Sequence, residues 1–481
     1  MSEPLGKMWS GRFREPLDVA FEAWQRSFPF DWRLLPQEIA ASKAHARMIA
    51  AAGILTENEL AVMLRGLDAV ISSEMDRAAK GHGRAAPAMV ASSPAEDVHH
   101  FVELELTQQI GELALKLHTG RSRNEQIATD MRLFVRDAID ATLNKLQAWM
   151  KALIDQARKA GDAAMPSYTH LQRAEPVLVA HWLLAYVSMI ERDYSRFVDA
   201  RKRLNLCPLG SGAVAGATLA LDRRIAADVL GFDGPTPNSM DATSDRDFAL
   251  EFTQAASVLG IHISRFAEEL TLYSTAEFGF LDLPETFSTG SSAMPQKKNP
   301  DLTELARGKS GRLLGSVVTL STLIKGLPLA YNKDLQEGQE PVFDTVDTLD
   351  GILQVLPGFT AALRFRFDRM QAAAESGFLN AMAAATYLVH KGVPFRKAHE
   401  KVGNAVRYCV DKGCELGDLT LDELKQFGAE FEDDFFADVT LKATLDCHDV
   451  IGGTAMRQVK VALAAAKERL AALSGAVHAG A

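Results

Sequence analysis

At 481 residues, 47% of them hydrophobic and 24% charged, the chain has the composition of an ordinary soluble globular protein with room for two to four domains. A formal net charge of −10 argues against a general nucleic-acid-binding surface. Four scattered cysteines (Cys207, Cys409, Cys414 and Cys447) lack metal-ligand spacing, and a polar start without a secretory signal adds to the expectation of a reducing, cytoplasmic compartment.

In chain order, residues 81–94 are rich in Gly, Ala, Pro and Ser without a helical period, and read as a loop. Lys116-Leu117-His118-Thr119-Gly120-Arg121-Ser122-Arg123-Asn124-Glu125-Gln126 then sets two arginines and an asparagine just before a helical pattern. Forked guanidinium groups, an amide and the positive end of a helix suit carboxylate recognition. Ile127, Met131, Val135, Ile139, Leu143, Leu146, Met150 and Leu153 step by four and three, which predicts a long helix with one buried stripe. Ser167-Tyr168-Thr169-His170-Leu171-Gln172-Arg173-Ala174-Glu175-Pro176 reads as a loop whose histidine can change charge near neutral pH. A second long helix is predicted from Pro176 toward Arg201. Its apolar stretch, residues 177–190, is too short to span a bilayer and contains His181, so no membrane partner is expected.

The Gly-rich residues 205–218 are irregular, and a third long helix is expected from Asp247 through Phe248, Phe252, Leu259, Ile263, Phe266 and Leu270. Next comes Gly290-Ser291-Ser292-Ala293-Met294-Pro295-Gln296-Lys297-Lys298-Asn299-Pro300-Asp301, where a glycine and two prolines bar a regular helix. This polar loop is anchored to a helix marked by Leu302, Leu305, Leu313, Val317, Leu320 and Ile324, and could close over an anionic substrate. Beyond Pro357-Gly358 the pattern shifts to shorter helices, with stops near Gly392-Val393-Pro394 and Gly452-Gly453 and an Ala-rich helical tail over residues 460–481. The sequence has no internal repeat and no Gly-rich dinucleotide or phosphate loop. Long helices recurring in this way predict an all-α bundle.

The Ser-Ser-x-Met-Pro-x-Lys-x-Asn-Pro pattern of the 290–301 loop resembles the signature of the fumarase/aspartase superfamily, and its Gln-Lys-Lys-Asn-Pro-Asp ending is similar to the argininosuccinate lyase branch. The Lys116–Gln126 and Thr169–Ala174 segments resemble that branch too, as do Ser42-Lys43-Ala44-His45, Glu96-Asp97-Val98-His99 and Tyr331-Asn332-Lys333-Asp334-Leu335-Gln336-Glu337. Met8-Trp9-Ser10-Gly11-Arg12-Phe13, Pro208-Leu209-Gly210-Ser211-Gly212-Ala213, Asn238-Ser239-Met240-Asp241 and Asp245-Arg246-Asp247-Phe248 agree as well; chance agreement at so many ordered positions is negligible.

The resemblance implies an all-α protein of three domains, residues 1–119, 120–369 and 370–481, with the signature loop at 284–300 in a central long-helix bundle. It further implies a homotetramer with active sites shared between subunits, and cofactor-free elimination of argininosuccinate to arginine and fumarate. Such chemistry needs a base, an acid, donors for a developing dianionic carboxylate and positioning contacts. By resemblance Ser291 is the base, with Lys297 and Asn299 stabilising charge; on residue chemistry alone Ser292 serves equally. His170 is the implied acid and Glu304 its carboxylate partner, while Ser42, Arg123, Asn124, Thr169, Tyr331, Gln336 and Gln339 are implied substrate contacts. A sister fumarate-releasing lyase and a crystallin-like structural protein are the alternatives.

Departures from the branch pattern are specific. Gln339 stands where a substrate-contacting lysine is usual, which predicts weaker substrate binding more than slower chemistry. Glu38 and Glu125 replace the usual Asp, Glu175 replaces Gln, and residues 380–387 lack the common Asp-Leu-Ala pattern.

Overall fold

The computed structural model describes residues 15–71 and 86–479, the last six by backbone alone. The segment Met8–Phe13 and the first part of the 81–94 loop lie outside the described residues; within the remainder of that loop, Ala88–Ser92 forms a short helix. The fold is all-α. Among the described residues, no helix is long and apolar enough to cross a membrane.

Five long helices carry the architecture: Arg123–Ala160, Val179–Leu204, Asp247–Tyr273, Asp301–Ile324 and Gln339–Ala362. Each contributes residues to both of two compact units. One unit runs through Leu143 and takes in Tyr194–Gly260 and Lys309–Gly351; the other comprises Asn144–Asp193, Ile261–Gly308 and the chain from Ile352.

The buried stripe predicted between Ile127 and Leu153 is buried along its whole length. In the first unit, Phe134 meets Phe343 edge-on at 5.0 Å, and a Cβ added at Gly260 would fall 2.8 Å from Leu313. The helices approach there because Gly260 has no side chain. In the second unit, Phe266 collects Trp149 at 5.6 Å and Tyr186 at 4.9 Å. Each fully buried aromatic contributes about 1.5–3 kcal/mol of transfer free energy. Trp149 also donates to Thr360 Oγ1 at 3.1 Å, and Gln156 Nε2 donates to the carbonyls of Thr360, Ala361 and Leu363, occupying acceptors that the end of the Gln339–Ala362 helix leaves open.

Three expectations are corrected. The helix expected from Pro176 begins at Val179, because Pro176 lies in a strand, Gln172–Leu178, paired antiparallel with Ala164–Thr169. Pro166 and Pro176 sit opposite one another, where their missing N–H groups leave no donor unpaired. The 167–176 segment is therefore a hairpin rather than a loop. Pro357 lies inside the Gln339–Ala362 helix rather than ending the pattern, so the shift to shorter helices comes after Ala362. The predicted stop at Gly392 holds: the Ala381–His390 helix ends there and Phe395–Lys412 begins after Pro394.

Candidate functional site

The residues of the Arg121 segment converge in the first unit. Gly120 at φ 68° turns the chain into the Arg123–Ala160 helix, placing Arg123 and Asn124 in its first turn, at the positive end. Together with Asp31, Asp97, His99, Tyr331, Lys333, Gln336 and Gln339 they line a cavity of about 180 Å³. Arg123 Nη1 donates to Asp97 Oδ2 at 3.1 Å and lies 3.8 Å from Glu96. Tyr331 follows Ala330, which is held at φ 57°, a conformation uncommon for a residue with a Cβ and one that clusters at ligand sites. Gln336 is anchored through Nε2 to the Gln25 carbonyl at 3.2 Å. Gln339 is buried, and its Oε1 has no partner among the described residues.

Behind this cavity lies a buried polar network. Ser42 is 0% exposed; it donates to Glu38 Oε1 at 2.6 Å and accepts from Arg121 Nη1 at 2.8 Å. Its hydroxyl thereby links Glu38 to Arg121. Glu38 Oε2 lies 3.0 Å from His99 Nδ1, and Gln126 Nε2 donates to Glu38 Oε1 at 3.1 Å. Burial pushes against ionisation of Glu38, but the His99 charge and hydrogen bond with the Arg121 charge outweigh it, holding Glu38 at about 2. Burial and the Glu38 charge push neighbouring Asp130 well above the carboxylate range. The balance therefore favours the charged form of Glu38 and the neutral form of Asp130, and Glu38 raises His99 against the opposing effect of burial. Glu38, His99 and Asp130 offer ligand atoms within 4.8 Å of one another. The Arg121 guanidinium 3.9 Å from Glu38 already balances that charge, which makes the cluster a poor cation site.

The Ser291 loop, in the second unit, has a different build. Thr289–Gly290 pairs antiparallel with Lys298–Asn299, so the segment between is a closed loop. Asp301 Oδ2 fastens its base by accepting from Thr289 N at 2.9 Å and Oγ1 at 2.7 Å, and Lys298 Nζ donates to the Leu283 carbonyl at 2.8 Å. Ser291 Oγ accepts from the backbone amides of Ala293 at 3.2 Å and Met294 at 3.1 Å. Two converging amides stabilise negative charge on that oxygen. Lys297 is exposed and its amide closes a turn onto the Met294 carbonyl at 3.1 Å.

His170 and Leu171, at φ 55° and 57°, are the two central residues of the turn joining the hairpin strands. Such mirror-image turns match strand twist but usually require glycine or asparagine, so this one is locally strained. Aromatic contacts of Tyr168 with Phe278 at 5.5 Å and Tyr273 at 6.2 Å hold the hairpin, as do hydrogen bonds from Arg173 to Ser376 Oγ at 2.8 Å and the Ala373 carbonyl at 3.1 Å. Thr169 and His170 are exposed, and Glu304 is exposed in the first turn of its helix. Among the described residues no hydrogen bond or ion pair joins His170 to Glu304 or either to Ser291.

Of the departures, Glu125 has a local explanation. Glu125 reaches two places at once, accepting from Ser122 N at 3.0 Å and from Gly212 N at 2.9 Å. Asn124 Nδ2 donates to Ala213 O in the same loop at 3.3 Å, so the Gly-rich 205–218 region is tied to the helix start. Sequence reasoning missed Asp31, Lys333, Gln126 and Asp130. The available signal for Asp130 was an ionisable residue directly beside the apolar stripe at Ile127 and Met131.

A family model described as lyase matches residues 11–315, and one described as argininosuccinate lyase C-terminal matches residues 378–446. Over 464 residues the chain is 63% identical to an argininosuccinate lyase of Acidobacterium capsulatum, covering 96% of this chain and 94% of that one. It is 55% identical over 473 residues to an argininosuccinate lyase of Koribacter versatilis, covering 98% and 99%. Among solved structures, an EDDS lyase variant with bound fumarate superposes with a TM-score of 0.81 at 25% identity, covering 95% of this chain and 92% of that one. The 3-carboxy-cis,cis-muconate lactonizing enzyme of Pseudomonas putida shares the fold, with a TM-score of 0.73 at 19% identity over 95% of this chain and 100% of that one.

Proposed function

Because the chain belongs to the argininosuccinate lyase family, we propose that it catalyses the reversible elimination of L-argininosuccinate to L-arginine and fumarate, in the service of arginine biosynthesis. The observation that carries the mechanism is the pair of amides on Ser291 Oγ. A serine hydroxyl is a very weak acid, and fixed donors together with a nearby cation are what let it act as a base.

In this reading Ser291 takes the proton beside a carboxylate of the succinyl moiety. Lys297 and Asn299 hold the charge that accumulates on that carboxylate. The carbon–nitrogen bond then breaks, and His170 protonates the departing guanidino nitrogen, with Glu304 as its partner once the site is complete. Ser42, Arg123, Asn124, Tyr331, Gln336 and Gln339 hold the substrate, and Thr169 adds a contact from the hairpin. No step needs a cofactor.

We infer a homotetramer with shared active sites. Its support is the Asp301–Ile324 helix, which exposes Leu305, Leu314 and Val318 at 60%, 55% and 58%. Gly308, Gly311 and Gly315 on the same helix have open space where a Cβ would stand, which suits close approach of another helix. A cytoplasmic location accords with four cysteines that are all free thiols.

The test is the appearance of fumarate by ultraviolet absorbance when purified protein meets argininosuccinate, with adenylosuccinate, malate and aspartate run in parallel. Turnover of argininosuccinate alone is expected. Turnover of one of the others would reassign the substrate, and none at all from a folded protein would favour a structural role.

A further inference from the structure

The Phe395–Lys412 helix ends at Gly413, which sits at φ 73° and returns its N–H to the Cys409 carbonyl at 2.8 Å. The next N–H, that of Cys414, also points back to the Cys409 carbonyl, at 3.1 Å. A helix terminated in this way folds the residue after the glycine over the helical residue five positions earlier, and their side chains commonly touch. Usually that contact is apolar. Here both partners are cysteines. Both line an open cavity of about 310 Å³ with Phe378 and Glu415. Cys409 is fully buried beneath it, whereas Cys414 is partly exposed.

We propose that Cys409 and Cys414 form a thiol-modification site, a dithiol that a small-molecule disulfide converts into an intramolecular disulfide. Cys414 loses its proton and attacks one sulfur of the reagent, giving a mixed disulfide and releasing one reagent thiolate. Cys409 then loses its proton and attacks the Cys414 sulfur, releasing the second. Two protein thiols are oxidised with loss of two electrons and two protons, and one reagent disulfide is reduced to two thiols. Cys414 is the more exposed of the two and attacks first, whereas burial, followed by the neighbouring Cys414, pushes the Cys409 thiol up to about 12. The influence of Cys414 disappears once its sulfur enters the mixed disulfide, while burial of Cys409 remains and makes its attack the slower of the two steps. The remaining cysteines serve as references: Cys447 is exposed, while burial pushes Cys207 up to about 12.

The test uses the full chain and oxidised glutathione, raised in concentration until Cys447 is modified. Remaining thiols are then alkylated and the protein is digested with trypsin without reduction. Lys412 separates the two cysteines, so trypsin yields residues 408–412 and 413–425 as distinct peptides. The expected result is that these two peptides travel as one species, two hydrogens lighter than their sum, and part on reduction. Cys414→Ser is expected to abolish the joined species and leave Cys409 unmodified. Separate peptides, alkylated or carrying glutathione arrested on Cys414, at a dose that modifies Cys447, would overturn the proposal.

Discussion

The Arg123 cavity and the Ser291 loop hold similar residue types in opposite physical settings. Around the cavity the polar groups are buried and bonded to one another, as in the Ser42, Glu38, His99, Gln126 and Arg121 network. In the second unit, Ser291 is half-exposed and accepts two local backbone amides, and His170 is exposed at its turn. On the proposed roles, the chain pre-organises its binding contacts, while the proposed acid and base are left open to solvent. Buried networks store stability, and exposed loops keep the freedom to close.

The largest expected effect breaks the comparison on the loop side. Ser291→Ala should lower turnover by about 10²–10⁴-fold, the range for a lost general base, with an unchanged melting temperature. Normal turnover would remove Ser291 as the base. On the cavity side Glu38→Ala should leave His99 and Arg121 without their buried counter-charge. Such a loss costs roughly 3–5 kcal/mol, measurable by denaturant unfolding. A cost within about 0.5 kcal/mol, typical of surface substitutions, would mean the network is not structural.

Titration sharpens the contrast further. His45 is fully buried with Nε2 facing the Thr119 carbonyl at 3.0 Å, and burial followed by the Arg121 charge pushes it down to about 3. The unfolded chain binds a proton below about 6.5 that the folded chain refuses. Its contribution is therefore present above that value and lost progressively as pH falls toward about 3. Between pH 7 and 5 it amounts to about 2 kcal/mol. His45→Gln should flatten the stability profile over that window by this amount, and an unaltered slope would contradict the assignment.

The smallest effect concerns Gln339. Replacing its amide by an ammonium should strengthen a carboxylate contact by about 1 kcal/mol, a roughly fivefold fall in KM with little change in kcat. An unchanged KM for Gln339→Lys would show that this position does not read the substrate.

Periodicity made the helices legible. The stripe from Ile127 to Leu153 and the pattern from Phe248 to Leu270 are buried as the spacing predicts, because a helix repeats its buried face locally. The motif at 290–301 announced a polar loop, and its glycine and prolines delimit one. Leu305 shows the limit: it matches the period yet is 60% exposed, since periodicity marks an apolar face without saying what covers it.

By itself, the sequence determined the helix-rich class, the long-helix stripes and the residue types of the site, all of which rest on local spacing. The tertiary structure decided the rest. It turned the 167–176 loop into a hairpin through pairing across Pro166 and Pro176, and aimed two backbone amides at the Ser291 hydroxyl. It also drew Glu38, His99 and Asp130 from three helices into one buried network. Such contacts depend on distances between residues far apart in the chain, which burial and backbone geometry set and residue order does not.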